Sequence, residues 1–192
     1  SLIARGTSYL KNKLGKPIFN NTINIIDDPL IPKKMRSKII DCEGIKCNKK
    51  KIIDTGQLNY FINTLEQSRQ LKTEPTGNAT RGVSSTPYAS PSNLFLENGE
   101  ISKKEMMKDI KEGLLVTELM GSSINMSNGD YSRGASGFWI ENGEICYPVS
   151  EITIAGNLKD IFLSLIPADD LEFNFGLNAP SCLVENLTLG GK

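Results

Sequence analysis

Apolar residues in this chain fall mostly into short runs with β-branched character, and few segments sustain a helical period. Thr22 to Ile26 ends at Asp27-Asp28-Pro29, so a strand is predicted to run into a turn. Ile39-Ile40-Asp41 and Ile52-Ile53 flank Glu43-Gly44 and predict two short strands around a turn. From Gln57 to Leu71 the apolar positions Leu58, Phe61, Ile62, Leu65 and Leu71 recur at helical spacing, which predicts an amphipathic helix. From Lys72 to Pro91 that period is lost among Thr, Ser, Gly and Pro, the composition of a long loop. Such a loop either covers or binds something, which singles out Asn78 and Arg81, or is a plain surface excursion.

Beyond the loop, Asn93 to Glu97 predicts a strand closed by Asn98-Gly99. Ser102 and Glu105 stand at the offset of a capping box and predict a helix over 103–111 ended by Gly113. Leu114 to Thr117 predicts a strand, and Gly121 to Gly137 is a second glycine- and serine-rich stretch. Phe138-Trp139-Ile140 and Ile145 to Val149 flank Asn142-Gly143, and this predicts a hairpin because both turn positions favour positive φ. Asn157 can cap a helix carrying Leu158, Ile161, Phe162 and Leu165. Leu171, Phe173 and Phe175 alternate like one face of a strand, and a last strand is predicted from Cys182 to Leu187, before Gly190-Gly191. Short strands with a few helices, without strict alternation, predict an α+β fold with a mainly antiparallel sheet or barrel-like core.

With 192 residues, 39% of them hydrophobic, the chain is long enough for one domain with a sizeable core. Lys plus Arg equals Asp plus Glu at 22 each, so no net field favours direct contact with nucleic acid or an acidic membrane. The basic run Lys46 to Lys51 sits among Asp41, Glu43 and Asp54 and reads as a solvated turn. No apolar run approaches a bilayer-crossing length and no signal-peptide core opens the chain, so a cytoplasmic location is expected. The start lacks Met, and Leu2-Ile3-Ala4 reads as the middle of an element, so a fragment of a longer chain is expected.

The sequence contains no histidine, which removes His-based metal motifs, Ser-His-Asp triads and Cys-His dyads from consideration within it. Cys42 and Cys47 could pair on a metal but lack further ligands, and they read more simply as small residues flanking a turn. Gly129, Asp130, Ser132, Arg133, Gly134 and Gly137 lie where glycines permit close backbone approach and polar side chains could line a peptide groove. The alternative is a tight loop whose Asp130 caps its own backbone. A hydrolase using Ser132 or Cys182 lacks a general base.

Several segments, in order, resemble the PmbA/TldE proteins of the TldD/PmbA family: 5–10, Asp41-x-Glu43-Gly44, 76–79, 113–118, 129–144, 147–149 and 153–158. The resemblance spans nearly the whole chain and implies that 1–192 is the C-terminal domain of such a protein. It implies a metal-free subunit of a cytoplasmic TldD/TldE-type metallopeptidase heterodimer, which degrades or trims peptides such as microcin precursors and antitoxins. Family members are also described as candidate modulators of DNA gyrase, which implies the alternative of a non-proteolytic binding module. The implied partners are a TldD-type metal-bearing subunit and an extended or unfolded peptide. Zinc is expected in that partner, with no cofactor in this chain, because the run Asp169 to Asn178, where sister chains place a zinc cysteine, has none. The segment Gly137 to Gly143 resembles the metal-free branch. The candidate peptide- or partner-binding residues read from the loop and glycine-rich segments are Gly129, Asp130, Ser132, Arg133, Gly134, Gly137, Asn78 and Arg81, with backbone edges near 129–137 expected to hold the peptide.

Overall fold

The computed structural model describes residues 2–191, the side chain of Ser122 apart. It is an α+β fold whose sheets are mostly antiparallel and open, so of the two arrangements expected the sheet, not the barrel, is present. In chain order the helices are α1 Leu2–Arg5, α2 Leu65–Leu71, α3 Lys103–Lys108 and α4 Leu158–Ser164. The first sheet has the order β11-β6-β1-β2-β3, built from β1 Ile25–Asp27, β2 Lys50–Asp54, β3 Gln57–Leu58, β6 Leu94–Leu96 and β11 Leu177–Asn178. The second has the order β13-β9-β8-β7, built from β7 Glu112–Ile124, β8 Asp130–Glu141, β9 Glu144–Asn157 and β13 Thr188–Gly190. Two small pairs complete the set, β4 Ala79–Thr80 with β5 Tyr88–Ala89, and β10 Ile166–Pro167 with β12 Cys182–Leu183.

The core lies on the first sheet, where Phe19, Ile23, Ile53, Leu58 and Leu96 are buried together. Phe162 of α4 stacks on Phe19 with ring centroids 4.3 Å apart, a contact worth about 1 kcal/mol beyond its burial. Thr55 and Gly56 both take positive φ and turn β2 back into β3. A side chain at Gly56 would meet Asn20 O at 2.4 Å, so glycine is required there by space as well as by φ.

That turn explains a correction. The helix expected over 57–71 is confined to 65–71, because Leu58 is committed to the sheet core and Phe61 packs against it before the helix begins. The helix starts where Thr64 accepts from Gln67 N, and it ends at Lys72 in the left-handed region. The strand expected at 39–41 reduces to one bridge between Ile40 and Lys46, since the Asp41 carboxylate takes Glu43 N and Ile45 N and forms a turn instead. The long loop at 72–91 carries the β4/β5 pair. The capping box at Ser102 and Glu105 is present, but α3 ends at Lys108. Ile110 O and Lys111 O instead accept Gly143 N and Asn142 N, tying the strand after α3 to the β8–β9 turn.

The strand expected through Leu171, Phe173 and Phe175 does not form. Side-chain oxygens take its backbone donors, Asn98 Oδ1 at Leu171 N and Asn178 Oδ1 at Asn174 N and Phe175 N. Phe173 packs edge-on against Phe95 at 4.9 Å. Of the last expected strand, Cys182 to Leu187, the part that forms is β12; Asn186 at positive φ interrupts it, and β13 begins beyond it at Thr188.

Candidate functional site

The glycine-rich stretch that suggested a groove is mostly strand. Residues 112–124 and 130–141 form a long hairpin, extended by β9 through the Asn142-Gly143 turn, whose residues have φ of 50° and 82°. The register places extra residues in β7, between Val116 and Glu118 and between Met120 and Ser123, and in β9, while β8 runs without interruption. Odd-numbered residues of β8 therefore share one face. Cross-strand partners put Ile124, Tyr131 and Gly156 in one row and Arg133, Ile154 and Leu189 in the next. Leu119, Ala135 and Ile152 follow, then Val116, Gly137 and Val149, then Leu114, Trp139 and Tyr147. From Tyr131 to Trp139 the charged group on this face is Arg133, and a row of Glu112, Glu141 and Glu144 closes its far end. Val116, Leu119, Ile124, Tyr147 and Leu189 on it remain exposed.

Gly137 is needed for the close approach of β7, since a side chain there would meet Leu115 O at 1.9 Å. At Gly134 the nearest atom to an added Cβ is Met120 Cβ at 3.5 Å, an ordinary contact. Backbone edges over 129–137 were expected to hold a peptide, but β8 is central and is paired along both sides from Asp130 to Glu141. The long unpaired edge belongs to β7. The outer side of β9 is interrupted by Pro148, which carries no N–H, and by Glu151 at positive φ.

At the end of the hairpin the turn 125–129 is fixed by side chains. Asp130 accepts Asn128 Nδ2 at 2.6 Å and Asn157 Nδ2 at 3.1 Å, and Leu158 N donates to Gly129 O at 2.7 Å. Asn157 also caps α4 by accepting Lys159 N. Asp130 thus spends both carboxylate oxygens on side-chain amides of the turn and of Asn157, not on its own backbone as the alternative had it. An open cleft of about 680 Å³ adjoins the turn, lined by Ser123 to Met126 and Asp130 to Ser132. Ser132 is exposed there, with no imidazole in the chain to activate it.

Asn78 and Arg81 stand on a different hairpin, β4/β5. Asn78 is fully buried and donates to the equally buried Asp27, whereas Arg81 is exposed near the tip beside Val83. The base of this hairpin is held by buried polar groups. Asp27 accepts Ser92 N, Asp41 accepts Ala79 N, and Asn63 exchanges hydrogen bonds with Thr76. The sequence pointed to Asn78 but not to its partner Asp27, which had read as a turn former.

The described residues of this chain do not fit a zinc site. No histidine is present, and the described residues hold no group of three or more His, Cys, Asp or Glu side chains placed for a metal. Cys42 is exposed, and Cys47 is buried with its thiol donating to Gly77 O at 3.1 Å. Cys182 reaches the surface, but its partly enclosed thiol donates to Pro180 O and is pushed up to about 11 by desolvation and then by Asp170. A thiol so raised is a poor nucleophile at neutral pH.

Residues 1–191 match the model of the PmbA/TldA metallopeptidase C-terminal domain. The chain is 37% identical over 191 residues to the metalloprotease PmbA of Escherichia coli O157:H7, covering 99% of this chain and 40% of that protein. The fold superposes on TldE of Thermococcus kodakarensis with a TM-score of 0.87 at 28% identity, covering 99% of this chain and 44% of the other. It superposes on a Thermotoga maritima protein described as a candidate modulator of a DNA gyrase with a TM-score of 0.86 at 35% identity, covering 98% and 44%. The chain thus spans about 40% of the length of the curated relatives it matches. Among the described residues no helix is long and apolar enough to cross a membrane.

Proposed function

Because this chain belongs to the PmbA/TldD metallopeptidase family, we propose that it is the C-terminal domain of a metal-free subunit that completes a peptide-binding chamber with a zinc-bearing, TldD-type partner. The observation that carries this reading is the β7–β9 sheet, which presents an unpaired β7 edge and exposed apolar side chains along one face. An extended peptide can add to such an edge through main-chain hydrogen bonds that do not depend on its sequence. The two bulges in β7 divide the edge into short regular segments, which limits pairing by other chains. Zinc belongs to the partner in this reading, supported by the missing histidines. Asp130 and Gly137 then shape the sheet, Arg133 faces the ligand while Ser132 stands on the opposite face, and Arg81 at the tip of β4/β5 is a partner contact.

The test is peptide cleavage by the full-length parent protein, alone and mixed with a TldD-type chain, with zinc measured in each. Cleavage and zinc that appear with the partner support the reading; stoichiometric zinc and equal cleavage in the parent alone overturn it. A binding module acting on gyrase is the second reading, favoured by the description of the Thermotoga maritima protein. Recovery of gyrase without any peptidase chain would select it.

A further inference from the structure

We infer that Arg133 receives the C-terminal carboxylate of an extended peptide lying over the apolar face of the β7–β9 sheet, an inference that rests on the peptide-binding reading above. Among the described residues the ion pairs are Lys49 with Asp28 and Lys51 with Asp54, so Arg133 has no carboxylate of its own. Its Nη2 donates to Leu119 O at 3.1 Å, and its Nε is buried without an acceptor. A guanidinium held in this way has lost part of its hydration without gaining a counter-charge.

The surroundings sharpen the point. The cross-strand neighbours of Arg133 on its face are Ile154 and Leu189, and the adjoining rows bring Ile124, Tyr131, Leu119 and Ala135. Asp130, Glu118 opposite Ser136 and Glu151 in the β9 bulge are nearer carboxylates, the first two at even β8 positions on the other face; those in register on the face of Arg133, Glu112 and Glu141, pair at the far end of the hairpin. Eight residues of strand separate them from Arg133 on β8, roughly 26 Å at the rise of a strand, beyond the reach of charge in salt. An apolar floor with one central cation is complementary to an apolar chain bearing one anion, and the low local dielectric strengthens that pairing.

The position favours a chain terminus over an acidic side chain. One row beyond Arg133, the space above Gly156 is filled by Leu187 Cδ2 and Ile161 Cδ1, which would lie 2.7 and 3.6 Å from a side chain placed there. A peptide laid along the face from the Trp139 end therefore stops at the Arg133 row.

The test uses a fluorescein-labelled peptide, Val-Leu-Val-Ala-Val, as the free acid and as the C-terminal amide, with anisotropy titrations on the purified protein and on Arg133→Gln and Arg133→Lys. The free acid is expected to bind about tenfold more tightly to the parent protein, to lose that advantage in Arg133→Gln, and to keep part of it in Arg133→Lys. A variant that merely loosened the β7 bulge would weaken acid and amide alike, and that result would overturn the assignment. Equal affinity of the parent protein for acid and amide overturns the Arg133 inference and leaves the peptide reading standing. Failure of both peptides to bind, in the presence of the TldD-type partner as well, overturns both.

Discussion

The carboxylate of Asp27 accepts the side-chain amide of Asn78 at 2.6 Å, and both residues have zero solvent exposure. The same carboxylate takes Ser92 N, so one acid on β1 fastens both legs of the segment that carries β4 and β5. Replacing Asp27 by Ala strands a buried amide and a buried N–H, and is expected to cost about 2–4 kcal/mol. Urea unfolding midpoints check the magnitude. Hydrogen exchange should accelerate first over 76–93, whereas a uniform acceleration across the protein would show that Asp27 does not act locally.

Gly137 and Gly134 differ by three positions on one strand but not in what they tolerate. Gly137→Ala forces a methyl against Leu115 O and is expected to destabilise by about 2 kcal/mol or more, separating β7 from β8 near the bulge. Gly134→Ala meets ordinary contacts and is expected to stay within about 0.5 kcal/mol of the parent. Thermal melts of the two variants decide the matter, and equal losses would contradict the register.

The Cys182 thiol, raised by desolvation and Asp170, is expected to resist alkylation at pH 8 after the exposed Cys42 and Cys146 have reacted with iodoacetamide. The sign for stability follows from proton counts. Between about 9, where the unfolded thiol ionises, and about 11, where the folded one does, the native state holds the extra proton. Stability conferred at this site is thus complete below pH 9 and is lost as pH rises toward 11. Cys182→Ala should flatten that part of the pH profile, and an unchanged slope would refute the assignment.

Asp170 works in the opposite direction. The Ser181 hydroxyl, donating at 2.7 Å, holds its carboxyl below the usual range, with Ser181 N assisting. Its contribution is present above the unfolded carboxyl value near 4 and disappears as pH falls through the lower folded value. Ser181→Ala should lose that contribution at neutral pH and shift acid unfolding to higher pH, as followed by circular dichroism. An unshifted acid transition would show that the contact is not retained in solution.

Helix starts and tight turns were legible in the sequence because their chemistry is local. Ser102 with Glu105, Asn157, and Asn142-Gly143 each act through neighbours within a few residues, and each feature stands. What the sequence concealed was decided at a distance. The period of Leu58, Phe61 and Leu65 mimicked a helix because Leu58 and Phe61 serve a core shared with Phe19 and Leu96. Gly121 to Gly137 looked irregular because its glycines answer to neighbouring strands, as Gly137 does to Leu115 O. Of the candidate site residues, 129–137 come together on one sheet, while Asn78 is spent on Asp27, an acid that local pattern could assign only to a turn.

The parallel pairing of β11 with β6, Leu177 against Leu94, has a kinetic consequence. Strands β7, β8 and β9 follow one another through short turns, so the longest ladders of the molecule close over small loops and can zip up early. The sheet holding the aliphatic core links Ile25–Asp27 through β6 to Leu177–Asn178, and it cannot be completed until Asn178 has left the ribosome. During synthesis the meander therefore waits as a preformed platform, while β6 remains without its final neighbour. Truncation before Leu177 should expose the β6 edge and make the nascent product dependent on chaperones.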